Sequence, residues 1–438
     1  MTEDREPLDT ALHGAIADVV YGKGGFVEIY RKASEDIADF LRSDAEPEGV
    51  EPEGAEPLKE PGAGVLTELS AAIDDAMAEH AQKQRRWPVR TDGERLTRAF
   101  RALDESGIVA REDFTCCGQC ARDALRSEVA AHDTDAGPAI RGYVYYHARE
   151  AARAAVEGGL WLGFDAVHEI RRAAVGEEIA ETLRAHGLTV TWNGDPDTLL
   201  AVELDGRWRR WGRRAAYPGS AIQGEPSVEV AYTNPSPYPT PEWVSHYEGR
   251  VTVRELARMV LPWLPGDFTA TMTSDRGDTV VVERAFDVLR VRETGRVLPR
   301  ERVEEPLSRW AVGGVWPEED AASSGVGMVD ASYQDTSRDG IGSVDVPEPL
   351  ETAAARALVH HLTPAPDSFA VFVARDGSCV QMMWHAGPRL WMETPEPEAS
   401  LSRGRFVSVS EADEMVRVLA EEGRIALDEL GELSVLRW

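Results

Sequence analysis

Apolar residues recur at helical spacing across residues 8–42. Leu12, Ile16 and Val19 precede a break at Gly22–Gly25, and Phe26, Ile29, Ile37 and Phe40 follow it. The pattern predicts two helices joined by a turn, within an N-terminal helical segment 1–42. Gly22-Lys23-Gly24-Gly25 lacks the spacing and the Lys-Ser/Thr pair of a phosphate loop, so it reads as that turn. Periodicity then stops. Residues 43–63 are Pro, Glu and Gly with almost no apolar content, and a segment with so little to bury predicts an acidic linker.

Amphipathic spacing returns over 66–84 and 92–105, the second stretch carrying Leu96, Phe100 and Leu103 on one face and Gly107 as its stop. Further along 64–215, strands are predicted at 141–147, 160–166, 188–192 and 199–204, with helices at 148–157 and 169–186. Short connections between them imply a mixed sheet with helices packed on it. Residues 217–312 predict a second α+β module, with a strand near 227–232, a helix at 253–262 and a hairpin around TSDRGD. Residues 313–350 are rich in Ser, Gly and Asp and predict a second flexible linker. The C-terminal module, 351–438, opens with a helix, turns a hairpin at Asp376-Gly377, and closes with a strand at 405–409 and a helix at 411–422. The fold class is therefore α+β and multidomain, with mixed sheets, packed helices and flexible acidic linkers. VTVRELARMV (251–260) and VSVSEADEMV (407–416) share five positions, which either two related modules or converging helix-cap chemistry explains.

Composition narrows the function. A formal charge of −30 argues against a general binder of nucleic acid or anionic membrane. No apolar run approaches the length of a membrane span and MTEDREPLDT has no signal-peptide core, so a cytoplasmic protein is expected. Four Cys cannot form a disulfide scaffold, and three of them crowd into Cys116, Cys117 and Cys120.

FTCCGQC (114–120) precedes a helical pattern, so Thr115 is the expected N-cap and the thiols fall in the first turn, where a helix dipole stabilises thiolate. Three readings stay open. Cys117 and Cys120 have the spacing of a redox dithiol, although the preceding segment reads as helix and loop rather than as the strand of a βαβ unit. Cys117 and Cys120 with His132 and His147, or with Cys116, offer the donor types zinc takes. Buried cysteines packing as small hydrophobes is the structural alternative. His147 and Glu150 could be a base and its orienter, but a His ending a strand beside a helix start more often caps and packs. No nucleophile elbow or metalloprotease spacing accompanies them, so no catalytic residue is assigned. The run RWRRWGRR supplies Arg207, Trp208, Arg209, Arg210, Trp211, Arg213 and Arg214, expected to contact an acidic surface of the same chain or of a partner, and less readily a nucleic acid.

GIVAREDFTCCGQC (107–120), RGYVYYHARE (141–150), GGLWLGFDA (158–166) and VGEEIAETLRAHGLTVTWNGD (175–195) together resemble an uncharacterised actinobacterial family classed as a domain of unknown function, over about 95–205. That resemblance implies no activity. Residues 368–422 are more loosely similar to immunity-protein and chaperone-like domains. The expected function is a non-catalytic protein-binding role of the immunity or chaperone kind. The alternative is a metal-binding or thiol-redox enzyme or sensor centred on Cys117, Cys120 and His132 or His147.

Overall fold

The computed structural model describes residues 5–43, 61–130, 139–219, 224–233, 246–261, 264, 269–285, 288–299, 303–316, 327–337 and 342–437. Most of the expected linker 43–63, and His132, lie outside these residues.

Helices α1 (Arg5–Tyr21) and α2 (Phe26–Ser43) meet at the predicted turn, where Gly22 and Gly24 adopt left-handed φ of 79° and 68°. The helix predicted at 66–84 forms as α3 (Ala63–Gln84), but its Leu69, Ile73 and Met77 pack with Leu8, Val19, Ile29 and Ile37 of the first two helices. The unit expected to start at residue 64 thus gives its first helix to the N-terminal bundle. Amphipathic spacing marks which face is apolar; it does not name the surface that face meets.

The second unit runs α4 (Asp92–Ser106), β1 (Ile108–Arg111), α5 (Gly118–Ala130), β2 (Gly142–Tyr145), α6 (Ala148–Glu157), β3 (Leu160–Ala166), α7 (Arg172–Ala185), β4 (Thr189–Thr191) and β5 (Leu200–Glu203). Thr91 and Glu94 close a capping box at the start of α4, and Gly107 ends it at φ 87°. Strand order is β1-β2-β3-β5-β4. β1 lies parallel to β2, with α5 as the crossover, and the other pairs are antiparallel. Sequence reading missed β1 because its four residues are all buried and so show no alternation. α5 covers Tyr143 and Tyr145, while Val144 and Tyr146 face Leu96, Phe100, Ile179 and Leu183 on the other side.

Two antiparallel sheets follow, with the same connectivity. The first contains β6 (Ser227–Thr233), β7 (His246–Thr252), α8 (Val253–Glu255, continued as a π-turn over Leu256–Val260), β8 (Thr269–Ser274), β9 (Thr279–Ala285), β10 (Val288–Val291), β11 (Val297–Pro299) and α9 (Glu304–Gly313). The second contains β12 (Met328–Gln334), β13 (Ser343–Glu351), α10 (Thr352–His361), β14 (Phe369–Val373), β15 (Cys379–His385), β16 (Arg389–Glu396), β17 (Leu401–Val407), α11 (Val409–Glu422) and β18 (Ser434–Arg437). Among the described residues each sheet starts at an edge with its module's second strand, then the first, then the third to sixth in order; β18 extends only the second sheet. Each module carries a helix directly after its second strand and another after its sixth.

The duplication does not align as the sequence suggested. Residues 251–260 span the second strand and its helix, whereas 407–416 span the sixth strand and its helix. What they share is cap chemistry: Thr252 accepts from Glu255 N at 3.1 Å, and Ser408 accepts from Glu411 N at 3.2 Å.

The predicted linker 313–350 also changes character, because it holds β12 and β13. In MVDASYQ the inward residues are Val329, Ala331 and Tyr333, an alternation diluted by outward Asp and Ser. β13 tolerates Pro347 and Pro349 because it is an edge strand.

The units interlock through charges. Asp413 on α11 takes two bonds from Arg356 on α10, at 3.0 and 2.7 Å, with Arg98 of α4 at 3.5 Å and His360 at 3.6 Å. Desolvation works to raise the Asp413 carboxyl, but His360 and these arginines outweigh it and hold the group far below the usual range. Val409 N donates to Glu105 at 2.7 Å, again joining α4 to α11.

Arg210 is buried, and its guanidinium donates to the carbonyls of Val19 (3.0 Å), Asp18 (3.3 Å), Gly24 and Arg214 (2.8 Å). Asp18 O and Val19 O keep the backbone donors Lys23 N (2.9 Å) and Gly22 N (3.1 Å), so Arg210→Ala chiefly strips Gly24 O and Arg214 O of a donor, each loss costing roughly 1–3 kcal/mol. Urea unfolding followed by tryptophan fluorescence should show a loss of about 3 kcal/mol or more, while Arg207→Ala, at the half-buried end of the run, stays within about 0.5 kcal/mol. A second prediction concerns acid. His361 is held neutral by burial and by Arg214, its pKa lowered to about 3. The unfolded ring protonates near 6.5 while the folded one resists, so stability declines as pH falls from about 6.5 toward 3. His361→Gln should make the fall of the unfolding midpoint with pH shallower over that window.

Candidate functional site

β1 ends at Arg111, and a short loop carries the chain into α5. Phe114 N donates to Tyr146 O at 2.9 Å and Ala148 N to Thr115 O at 3.0 Å, so the loop is fastened to the end of β2 and the start of α6. Asp113 and Thr115 take left-handed φ of 49° and 61°, which costs non-glycine residues roughly 1–3 kcal/mol each and aims the next residues outward. The cysteine motif therefore does follow a strand and open the crossover helix of a parallel pair, contrary to the helix-and-loop reading. The N-cap is Cys117 rather than Thr115, since Ala121 N donates to Cys117 O at 3.0 Å.

The sulfurs of Cys116, Cys117 and Cys120 all lie within 4.8 Å of one another, and Cys116 Sγ is 3.7 Å from Cys120 Sγ. Cys116 and Cys120 are exposed and Cys117 half-exposed, so these are not core cysteines, and the buried-hydrophobe alternative fails. Backbone and thiol hydrogen bonds from Cys120, with Gln119 N–H, lower the Cys117 thiol to about 7. The same contact with Cys117, reinforced by Cys116, pushes Cys120 up to about 11.

His147 does not join the sulfurs. Its ring caps α6, with Nδ1 accepting from Glu150 N at 3.2 Å, which leaves the proton of the neutral ring on Nε2. Burial lowers its pKa, so the neutral form prevails. Among the described residues the metal-ligating group comprises the three cysteines alone. Glu150 is consumed too, accepting from Arg153 at 2.5 Å and from Trp161 N at 2.8 Å. The pair caps and packs.

The arginine–tryptophan run turns inward. Arg210, Arg213 and Trp208 are buried. Trp208 packs against Tyr21 with ring centroids 4.9 Å apart and planes tilted by 49°, Gln84 brackets the Arg210 backbone at 2.8 Å on both sides, and Trp211 meets His361 at 5.2 Å. Arg213 N donates to Glu348 at 2.8 Å and its guanidinium to Pro347 O at 3.2 Å. Gly212, at φ 54°, permits that approach: a Cβ there would sit 2.5 Å from Glu348 Oε2. Arg209 pairs with Glu94 at 3.4 Å and Arg207 with Asp205 at 3.4 Å. Of the two surfaces expected, the run meets that of its own chain; its buried members are not presented to a partner, because their donors are spent on carbonyls and Glu348.

Sequence reading missed a cavity beside this run, bordered by Arg101, Glu112 and the Gly22–Gly25 turn. The adjacent charges in AREDF (110–114) were the available signal.

Residues 24–212 match a family model described as a domain of unknown function (DUF6891). The match spans α2, the mixed-sheet unit, the cysteine cluster and the arginine–tryptophan run as far as Gly212; both antiparallel modules lie beyond it. No curated protein and no solved structure matches the chain. No helix among the described residues is long and apolar enough to cross a membrane.

The thiol geometry makes a direct prediction. In metal-free protein, iodoacetamide should label Cys117 first, at a rate rising with pH about a midpoint near 7, as peptide mass mapping would show. Cys117→Ser should remove that phase, and Cys379, raised by burial, should react last.

Proposed function

We propose that the protein is a thiol-centred metal-binding protein in which Cys116, Cys117 and Cys120 hold one thiophilic divalent ion, Zn²⁺ foremost. The observation that carries this is the sulfur triangle. Tetrahedral Zn²⁺ with Zn–S bonds of about 2.3 Å has S···S edges of about 3.8 Å. The Cys116–Cys120 separation of 3.7 Å has that size before any metal is added. The α5 N-terminus and the depressed Cys117 thiol favour thiolate at Cys117, while Cys120, raised in the metal-free protein, would release its proton on binding metal. A fourth ligand comes from outside the triangle, as water or as a donor on a partner. A three-thiolate site with an open position suits either a sensor or a docking point better than a closed structural zinc.

Metal analysis of the full chain purified under reducing conditions should find about one zinc per chain. Cys116→Ser and Cys120→Ser should lose it, and Cys379→Ser should keep it. Protein that neither carries zinc nor takes it up overturns the proposal. A Cys117–Cys120 disulfide forming reversibly in metal-free protein, with no zinc uptake in the reduced form, would instead support the dithiol reading, which the strand-then-helix placement of the motif favours.

A protein-binding role is a second reading, favoured by one feature. α10 and α11 cover one face of the C-terminal sheet, while the other carries Val371, Met383, Trp391 and Phe406 around a groove of about 570 Å³. A partner of opposite charge suits a chain of −30, so the occupant inferred is a basic protein presenting apolar side chains. With cytochrome c as the basic probe, association should weaken in Phe406→Ser, which removes the apolar contact without adding charge; association indifferent to that change overturns a contact on this face.

A further inference from the structure

The sulfur triangle stops at three donors. Among the described residues, Cys116, Cys117 and Cys120 make up the whole converging group of His, Cys, Asp and Glu ligand atoms. Zinc asks for four ligands and would have to borrow one from outside this set. A thiophilic centre that makes only three bonds would not.

Local structure holds the three thiols ready. On one side the loop is tied to the sheet, because Thr115 O accepts from Ala148 N at 3.0 Å while Thr115 Oγ1 donates to Cys117 O at 3.2 Å. On the other, Ala121 N donates to the same Cys117 carbonyl at 3.0 Å, and Tyr145 Oη donates to Gly118 O at 3.2 Å. Ala121 and Leu125 then pack α5 onto Val109, Tyr143 and Tyr145. With the backbone pinned from both sides, little is left to order when a ligand arrives. Cys116 and Cys120 are exposed and Cys117 half-exposed, so the sulfurs can be reached from solvent. His147 comes near, its Nε2 3.8 Å from where a Cβ on Gly118 would stand, but its ring is held to the cap of α6 and does not complete a fourth position.

Three thiols without a fourth donor fit a trivalent metalloid. Arsenic(III), like antimony(III), makes three bonds in a pyramid and keeps a lone pair where a fourth ligand would otherwise sit. Such a centre is soft, so sulfur displaces oxygen from it. Arsenous acid is uncharged at neutral pH, so a chain of −30 does not repel it as it would an oxyanion.

We infer that the triangle captures a trivalent metalloid, received as its neutral hydroxide, with arsenous acid as the representative ligand. This rests on the thiol-centred site proposed above, whichever ion resides there. The exchange needs no oxidant or reductant. Three S–H and three As–O bonds break, three As–S and three O–H bonds form, and As(OH)₃ with three thiols gives As(SR)₃ and three waters. Arsenic stays trivalent, and the product leaves no coordination position open. Zinc and the metalloid use the same sulfurs, so each excludes the other.

The test is native mass spectrometry of the reduced full chain after incubation with arsenite and no added thiol. The adduct should weigh one arsenic more and three hydrogens less than the free chain. Titration should show affinity falling about tenfold or more in Cys116→Ser, Cys117→Ser and Cys120→Ser alike, since each removes one intramolecular bond, and holding in Cys379→Ser. Phenylarsine oxide, which needs only two thiols, should still bind Cys116→Ser, so that loss of arsenite there reports the missing third thiol and not a collapsed loop. No adduct, an adduct that retains oxygen, or arsenite affinity unchanged in Cys116→Ser would each overturn the inference. Zinc bound by a chain that gives no arsenic adduct removes this inference and leaves the zinc site standing; an adduct on a chain that takes no zinc does the reverse.

Discussion

The arrangement of this chain depends on one buried guanidinium. Helix α1 ends without a basic residue in its last turn; Gly22 N and Lys23 N cap Val19 O and Asp18 O, and the helix brings no cation of its own to them. Arg210 supplies one from the far end of the mixed-sheet unit, bonding Asp18 and Val19 of α1 and Gly24 of the turn. Burial and the neighbouring Arg214 lower its pKa to about 9, still above neutral, so the charge persists and must be answered. With Arg210 fixed, the residues on either side have little freedom. Trp208 is pressed against Gly93 at the head of α4, and Gly212 and Arg213 are delivered to Glu348 of the C-terminal module. Bundle, mixed sheet and C-terminal sheet share one short segment as their common reference.

Much of the fold was legible because periodicity is a local property. α4, β3, α7, β5 and α11 sit close to where apolar spacing and caps such as Thr91–Glu94 and Ser408–Glu411 put them. What could not be read was partnership. The face of α3 is plainly amphipathic, yet nothing within it says that it belongs with α1 and α2. β1 has no alternation to detect, and β12 hides its Val-Ala-Tyr stripe among Asp and Ser. The tandem modules show the same limit from another side. Their shared topology is clear in strand order, but the similarity visible in sequence pairs helices that are not equivalent, because a Ser/Thr cap with Glu three residues on recurs wherever a helix begins.

The candidate site was legible in part. Three crowded cysteines before a helical pattern are conspicuous in any chain so poor in cysteine. Missing β1 concealed the setting that gives the motif its meaning, and His147 looked like a ligand only until its ring was seen to cap α6. The arginine–tryptophan run advertised itself as a surface and proved to be largely interior, since nothing local to RWRRWGRR reveals that its donors will find α1 carbonyls. The cavity beside Arg101 escaped detection for the same reason: Tyr21, Arg101 with Glu112, and Trp208 are drawn from three distant stretches of sequence.

The distance between Arg210 and its acceptors has a consequence for biosynthesis. The acceptors lie 186 to 192 residues upstream. At roughly 5–20 residues per second of elongation, α1 emerges from the ribosome on the order of ten to forty seconds before the side chain that closes its end. During that interval the end of α1 is capped by backbone alone, with Gly22 N donating to Val19 O and Lys23 N to Asp18 O. Only once the chain has passed β5 can this guanidinium tie the end of α1 to the mixed sheet.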